Sequence, residues 1–395
     1  MLEGIRVISF THYLQGPYCV QMLADLGADV IKVESPKGAF ERHWSGMDIY
    51  LNNMSVFYLL GNRNQRSLSV DLKNSQGQEL IYRLLETADI LVENFRPGVM
   101  EKLGFGYEQL KKNYPKLIYC SCTGYGSGGP YKNRPGQDLI IQGMSGMASL
   151  GGVVGAPAAV GASVVDIHGA ALASIGILAA LVDRERTGRG HRVETNLLSA
   201  ALDLQVEPFS YYLNSGKLYG KLPTGLSDRI HESPYGIYEA SDGYLLLSAT
   251  PLDKLQEVLD GEVLKGFEDR DRFTRREELD TVINREIQKK SVDEWCEIFE
   301  RHQIWYSRIS EYEDVEKNPQ LVYNESVETF DHPYAGRIRM LRHPNRYDGE
   351  NRTIQRYQPL QGEHSAEIMR EAGYSEEEIA RCFEQAVVFD EKREK

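Results

Sequence analysis

Along the first 125 residues, short apolar runs alternate with segments whose apolar positions recur at helical spacing. Arg6 to Phe10 alternates as a strand. Tyr18 to Leu26 reads as a helix that Gly27 ends, and DVIKVE (29–34) predicts a second strand. The unit then repeats. Ser67 to Leu72 is extended, Asn74 or Ser75 caps a helix through Leu85, and Asp89 to Glu93 is a further strand. A short helix over Glu108 to Lys112 precedes a strand over Lys116 to Cys122. Strands alternating with helices predict an α/β fold: a Rossmann-like, doubly wound, largely parallel sheet.

Further on, HRVETNLLSAALDL (191–204) gives another strand and helix, and the texture then changes. Residues 214 to 236, rich in Gly, Pro, Ser and Lys, read as a linker or long loop. PYGIYEASDGYLLLSA places two strand runs around Ser-Asp-Gly, as a hairpin does. Ser291 and Glu294 form a capping box, and Ser375 with Glu378 a second. The tail holding that second box has too few apolar residues to fold alone. With 395 residues exceeding one usual core, the expected division is a large domain over 1–225, a smaller α+β domain over 226–325, and a segment 326–395 that returns to the large domain.

Composition narrows the function more than the fold. The chain is 41% hydrophobic and 26% charged, with a net charge of −13, which argues against a nucleic-acid partner. Local basic residues can still hold a small polyphosphate. MLEGIRVISF lacks the regions of a secretory signal, and the apolar stretch from Gly169 to Val182 is shorter than the roughly 20 residues of a membrane span. Five cysteines, odd in number and scattered, read as core thiols without a zinc-type pair, so no metal is expected. Together these point to the cytoplasm and to no membrane partner.

Several segments carry candidate chemistry. The first strand–helix–strand unit has the length of a nucleotide-binding unit, and Glu34 stands where a ribose-binding acid would. Its turn, THYLQGP (11–17), nevertheless lacks the glycines a pyrophosphate needs. GYGSGG (124–129) does follow a strand, but Pro130 comes next. It reads as a glycine turn, or alternatively as a lid. Arg63, Arg66 and Lys73, with Arg96 and Lys102, are basic candidates for phosphate near strand ends. Asp138 follows a turn and precedes an apolar run, and so reads as a helix cap. His168 reads as structural, and Asp166 as the N-cap of the apolar helix after it, a role favouring its ionised form.

The stretches GPYCVQMLADLGADVIKVE, NRNQRSLSVDLK, ADILVENFRPGVMEKLGFGYEQL and YPKLIYCSCTGYGSGGPY resemble the family III CoA-transferases, which include formyl-CoA and carnitine CoA-transferases. GILAALVDRERTGRGHRVE and PYGIYEASDGYLLLS continue the likeness. The resemblance implies an interlocked homodimer and coenzyme A in acyl-CoA as a substrate, with no tightly bound cofactor and a small carboxylic acid as partner. It makes Asp166 the nucleophile, forming first an anhydride with the acyl group and then an aspartyl-CoA thioester. Gln137 and Asp138 match positions beside the reacting thioester. Leu14 and Gln15, Val70 to Lys73, Asn94, Phe95 and Arg96, and Lys102 match the coenzyme A site. Related racemases carry His where this chain has Gln137, which cannot exchange protons. A racemase and a non-catalytic CoA-binding protein are the alternatives. The amides opening the 167–182 helix are expected to stabilise an oxyanion, and His231, Tyr235 and the 214–236 loop are candidates for shaping the acyl pocket.

Overall fold

A computed structural model describes residues 1–217 and 230–392. Its central sheet has seven strands: β1 (Arg6–Phe10), β2 (Asp29–Glu34), β3 (Gln65–Val70), β4 (Ile90–Glu93), β5 (Ile118–Thr123), β6 (Arg192–Asn196) and β7 (Val388–Phe389). They lie in the order β6-β5-β4-β1-β2-β3-β7. The first six are parallel, and β7 runs antiparallel on the edge, pairing Val388 with Val70. From the central β1 the chain builds outward to β3, then crosses to β4 and builds the other way. The connections leaving β1 and β4 therefore diverge, opening a crevice at the carboxyl edge of the sheet.

Both faces of the sheet are apolar, as parallel strands covered on two sides require. Val7, Ile90, Val92 and Cys120 face α1 (Gln15–Asp25). Ile8, Phe10, Leu68 and Leu91 face α2 (Ser75–Leu85) and the C-terminal helices Ser365–Glu371 and Glu376–Glu384. After β5 come α3 (Asp138–Met144) and α4 (Val164–Thr187). Ala170, Ala173 and Ile177 of α4 pack in the same core as α1. At 24 residues α4 exceeds the apolar stretch read from the sequence, and it is long and apolar enough to cross a membrane. Length therefore does not exclude a span here. What the structure shows is one face of α4 packed into the sheet's core. All five cysteines are buried and unpaired.

The chain divides into two compact units: Met1–Ile141, Ala162–Leu204 and Pro319–Lys395 form the first, Gln142–Gly161 and Gln205–Asn318 the second. The second unit thus differs from the 226–325 stretch read from texture: it begins earlier, at Gln205, ends sooner, at Asn318, and adds Gln142–Gly161. Its antiparallel sheet joins Tyr235–Glu239, Tyr244–Ser248 and Tyr306–Arg308. Trp295, Phe299, Leu279 and Ile283 fill its core, with Trp295 Nε1 donating to the Ile287 carbonyl at 2.7 Å. The Ser291–Glu294 capping box is present in this unit, and the Ser375–Glu378 box in the first. Of the 214–236 stretch, Asn214 and Ser215 close a helix, and 218–229 lie outside the described residues.

Candidate active site

Asp166 lies in the first turn of α4, three residues after the N-cap Ser163, and so is not the cap. The capping oxygen comes from elsewhere in the sequence. Asp138, buried at the start of α3, accepts hydrogen bonds at Oδ2 from the backbone N–H of Val165 (2.7 Å) and of Asp166 (3.0 Å). The other two first-turn amides are also engaged: Val164 N–H with the Ala162 carbonyl and Ile167 N–H with that of Ser163. The expectation that these amides stabilise an oxyanion therefore fails. The N-terminal field of the helix is spent on Asp138. Asp166 has no hydrogen-bonded partner for its carboxylate among the described residues. Burial, and secondarily the charge of Asp138, push it up to about 7, so capping does not hold it ionised.

The residues matched to coenzyme A sit on the carboxyl edge of the sheet. Leu14 and Gln15 lie in the turn from β1 into α1, both buried. Asn94 and Phe95 follow β4, and the two loops are clamped together. His12 N–H donates to Asn94 Oδ1 (2.9 Å), Asn94 Nδ2 donates to the His12 carbonyl (2.7 Å), and the His12 and Phe95 rings meet edge-on at 5.2 Å. Arg96 and Lys102 are exposed just beyond. Arg96 lines a cavity of about 340 Å³ with Glu93, Ser121, Thr123, Lys132 and Arg192. Lys73 is exposed after β3. Val70 is fully buried in the core and offers no side chain to a ligand. Gln15 joins the two groups, because a Cβ added to Gly169 of α4 would lie 2.6 Å from Gln15 Nε2. Gly169 is one helical turn from Asp166, on the same face.

The sequence matches CoA-transferase family III over residues 2–365. The chain belongs to that family. It is 32% identical over 381 residues to succinyl-CoA:glutarate CoA-transferase of Mus musculus, covering 94% of this chain and 86% of that protein. It is 29% identical to formyl-CoA:oxalate CoA-transferase of Rhodopseudomonas palustris strain BisA53, over 96% of this chain and 95% of the other. A CAIB/BAIF family protein from Brucella suis has the same fold, with a TM-score of 0.81 at 31% identity, over 94% of this chain and 99% of its own. The mouse and Rhodopseudomonas relatives are named as CoA-transferases, which favours transfer over racemisation.

Within this family III chain, some sequence candidates fall away. Arg63 is buried against Asp25 (2.7 Å), and Arg66 pairs with Asp29, Glu367 and Glu371 at 2.6 to 2.8 Å. Arg66 stands near the start of β3, at the edge opposite the crevice, so these two arginines are structural. Glu34 is gripped by Arg42 through two bonds of 2.6 and 2.7 Å and also accepts from Ser67, leaving no oxygen for a ribose. The glycine loop leaves β5 at Gly124 and returns at Gly136, where a Cβ on Gly124 would stand 2.7 Å from the Gly136 Cα. It is a closed excursion that delivers the exposed Gln137 and the buried Asp138. His168 pairs with Asp203 at 2.7 Å. His231 stacks on Tyr235 at 4.0 Å within the second unit.

Other residues of the crevice escaped the sequence reading. Tyr13 holds a left-handed φ of +61°, a conformation that costs roughly 1 kcal/mol or more. Its N–H donates to Glu41 Oε2 (3.1 Å), while the fully buried Lys32 donates to Glu41 Oε1 (2.8 Å) and to the Thr11 carbonyl (2.9 Å). A lysine between Ile31 and Val33 in a strand was the available signal, since such a residue must find an acid. Exposed Tyr13, Phe40 and Trp44 stack in series beside this turn.

Proposed function

We propose that the chain is an acyl-CoA:carboxylate CoA-transferase working through Asp166. The ionised Oδ attacks the donor thioester carbonyl. The C–S bond breaks, CoA leaves as thiolate, and an aspartyl–acyl anhydride remains. The thiolate then attacks the Asp166 carbonyl carbon, the C–O bond to the acyl group breaks, and the donor acid departs as its carboxylate. The acceptor carboxylate attacks the resulting aspartyl-CoA thioester, and the two steps run in reverse. Lys73, Arg96 and Lys102, exposed at the carboxyl edge of the sheet, supply charge for the phosphates of coenzyme A.

The observation that carries this reading is the setting of Asp166: partly buried at the sheet's crevice, with no cation beside it among the described residues, and facing a second acid whose Oδ2 is engaged by two backbone amides. A carboxylate held up to about 7 is more basic, and a stronger nucleophile, than one stabilised by an arginine. Gln137 stands where related racemases carry His, and its amide cannot exchange a proton with an α-carbon. The relatives make succinyl-CoA with glutarate, and formyl-CoA with oxalate, the first pairs to assay. A homodimer completes the proposal, supported by the apolar outer face of α4, where Ile175 and Val182 are 61% and 65% exposed. Sedimentation should give about twice 44.8 kDa.

Mixing the protein with acyl-CoA and no acceptor should yield a CoA adduct that peptide mapping places on Asp166. Turnover without any such adduct would sink the covalent route.

A further inference from the structure

The charge that develops on the acyl oxygen as Asp166 reacts needs a hydrogen-bond donor, and the amides of Val164 to Ile167, in the first turn of the helix that carries Asp166, are already taken. They are bound to Asp138 and to the Ala162 and Ser163 carbonyls. One donor nearby is uncommitted. Gln15 is 4% exposed, and its Nε2 is fully buried without a hydrogen-bond partner. A buried amide left unpaired is expensive, and such groups persist where something else completes them. This one occupies the space above Gly169 that a side chain would fill. Helical side chains lean toward the N-terminus, so that space borders the turn bearing Asp166.

We propose that the Gln15 side-chain amide is the donor to the acyl oxygen in both halves of the reaction, a catalytic role beyond the binding of coenzyme A. The inference rests on Asp166 being the nucleophile. As Asp166 Oδ bonds to the thioester carbon, the C=O pair moves onto oxygen, and Gln15 Nε2–H donates a hydrogen bond to it without transferring its proton. The bond relaxes when the carbonyl reforms and the thiolate leaves. When the thiolate attacks the Asp166 carbonyl, the same amide meets the new oxyanion. Gly169 has a part in this, since any Cβ there would displace the amide.

The test is single-turnover formation of the Asp166–CoA adduct, followed by intact mass in quenched samples. CoA affinity by calorimetry and melting temperature are measured alongside. Gln15→Met keeps the length and removes the donor. It should slow adduct formation at saturating acyl-CoA by on the order of 100-fold, with CoA affinity and melting temperature little changed. Gly169→Ala, which keeps the donor but displaces it, should slow the same step by a smaller factor, and this holds the test open if Gln15→Met folds poorly. An unchanged rate at saturation in both variants overturns the proposal, as does a loss confined to CoA affinity, which would make Gln15 a binding residue only. Wild-type protein that turns over without adduct removes the Asp166 route, and the Gln15 role with it. Adduct that forms normally in the variants removes the Gln15 role alone.

Discussion

Two clusters of acids lie at the crevice edge of the same sheet, and they are solved in opposite ways. Around the end of β2, Glu34 is met by Arg42 and Glu41 by Lys32, each pair almost wholly removed from water. Burial works against the charge of Glu34, yet Arg42 outweighs it and holds the carboxyl at about 2. At the start of α4 the described residues supply no cation. Asp138 spends its charge on two amides, and Asp166, with neither cation nor donor among the described residues, is held up to about 7. Burial is common to both clusters, so the partner decides the outcome. A raised value does not by itself mark a nucleophile. Glu93 also rises to about 7 through burial, but it accepts the N–H of Phe95 and so shapes the turn that carries Asn94. The chemistry is read from the acid that nothing answers.

The contrast can be broken most severely at Asp166. Asp166→Asn should lower turnover by at least about 1,000-fold, measured as steady-state transfer between a donor and an acceptor acid. In the compensated cluster, Arg42→Ala should cost about 3–5 kcal/mol in denaturant unfolding, because Glu34 is left buried and unpaired. Wild-type stability from Glu34 should be present above the ordinary glutamate value and be lost as pH falls toward 2.

Asp166 should behave with the reverse sign. Its folded value lies above its unfolded one, so its contribution is present below about pH 4 and lost as pH rises through about 7. Asp166→Asn should therefore gain stability over wild type as pH increases from 5 to 8, by at most about 2.6 kcal/mol. Paired melting curves at the two pH values check this. Adduct formation in wild type should rise with pH and reach half its plateau near pH 7. The smallest effect is expected for Asp138→Asn, which keeps an oxygen for the two amides but removes the neighbouring charge. The midpoint of that profile should then move to lower pH, by less than the whole upward shift, because burial remains the larger cause.

The alternating strands and helices of the first 125 residues were legible because each element's apolar face is written within five to twelve consecutive positions. The two capping boxes were legible for the same reason. The cap of α4 was not, since its acid stands 27 residues before the amide that it meets at Val165. Asp166 looked like a cap because an acid at a helix start usually is one, and only the fold reveals that the amides are already occupied. The arginines of NRNQRSLSVDLK looked like phosphate ligands because sequence does not say which edge of a sheet a residue joins. Arg66 stands near the start of its strand, and its acids come from β2 and from the tail. Gln15 could be placed by the family resemblance, but its unpaired amide becomes visible only where α1 and α4 touch.

The contact between Gly124 and Gly136 carries one more implication. A chain that crosses itself at a neck returns to nearly the same point and heading whatever lies beyond the crossing. Residues 125–135 can then be lengthened, shortened or exchanged while the returning chain at Gly136 still hands Asp138 to the same two amides. Sequence variation in that outer stretch then leaves the carboxylate it leads to in place. A methyl group at either crossing residue would act as a wedge and end that independence.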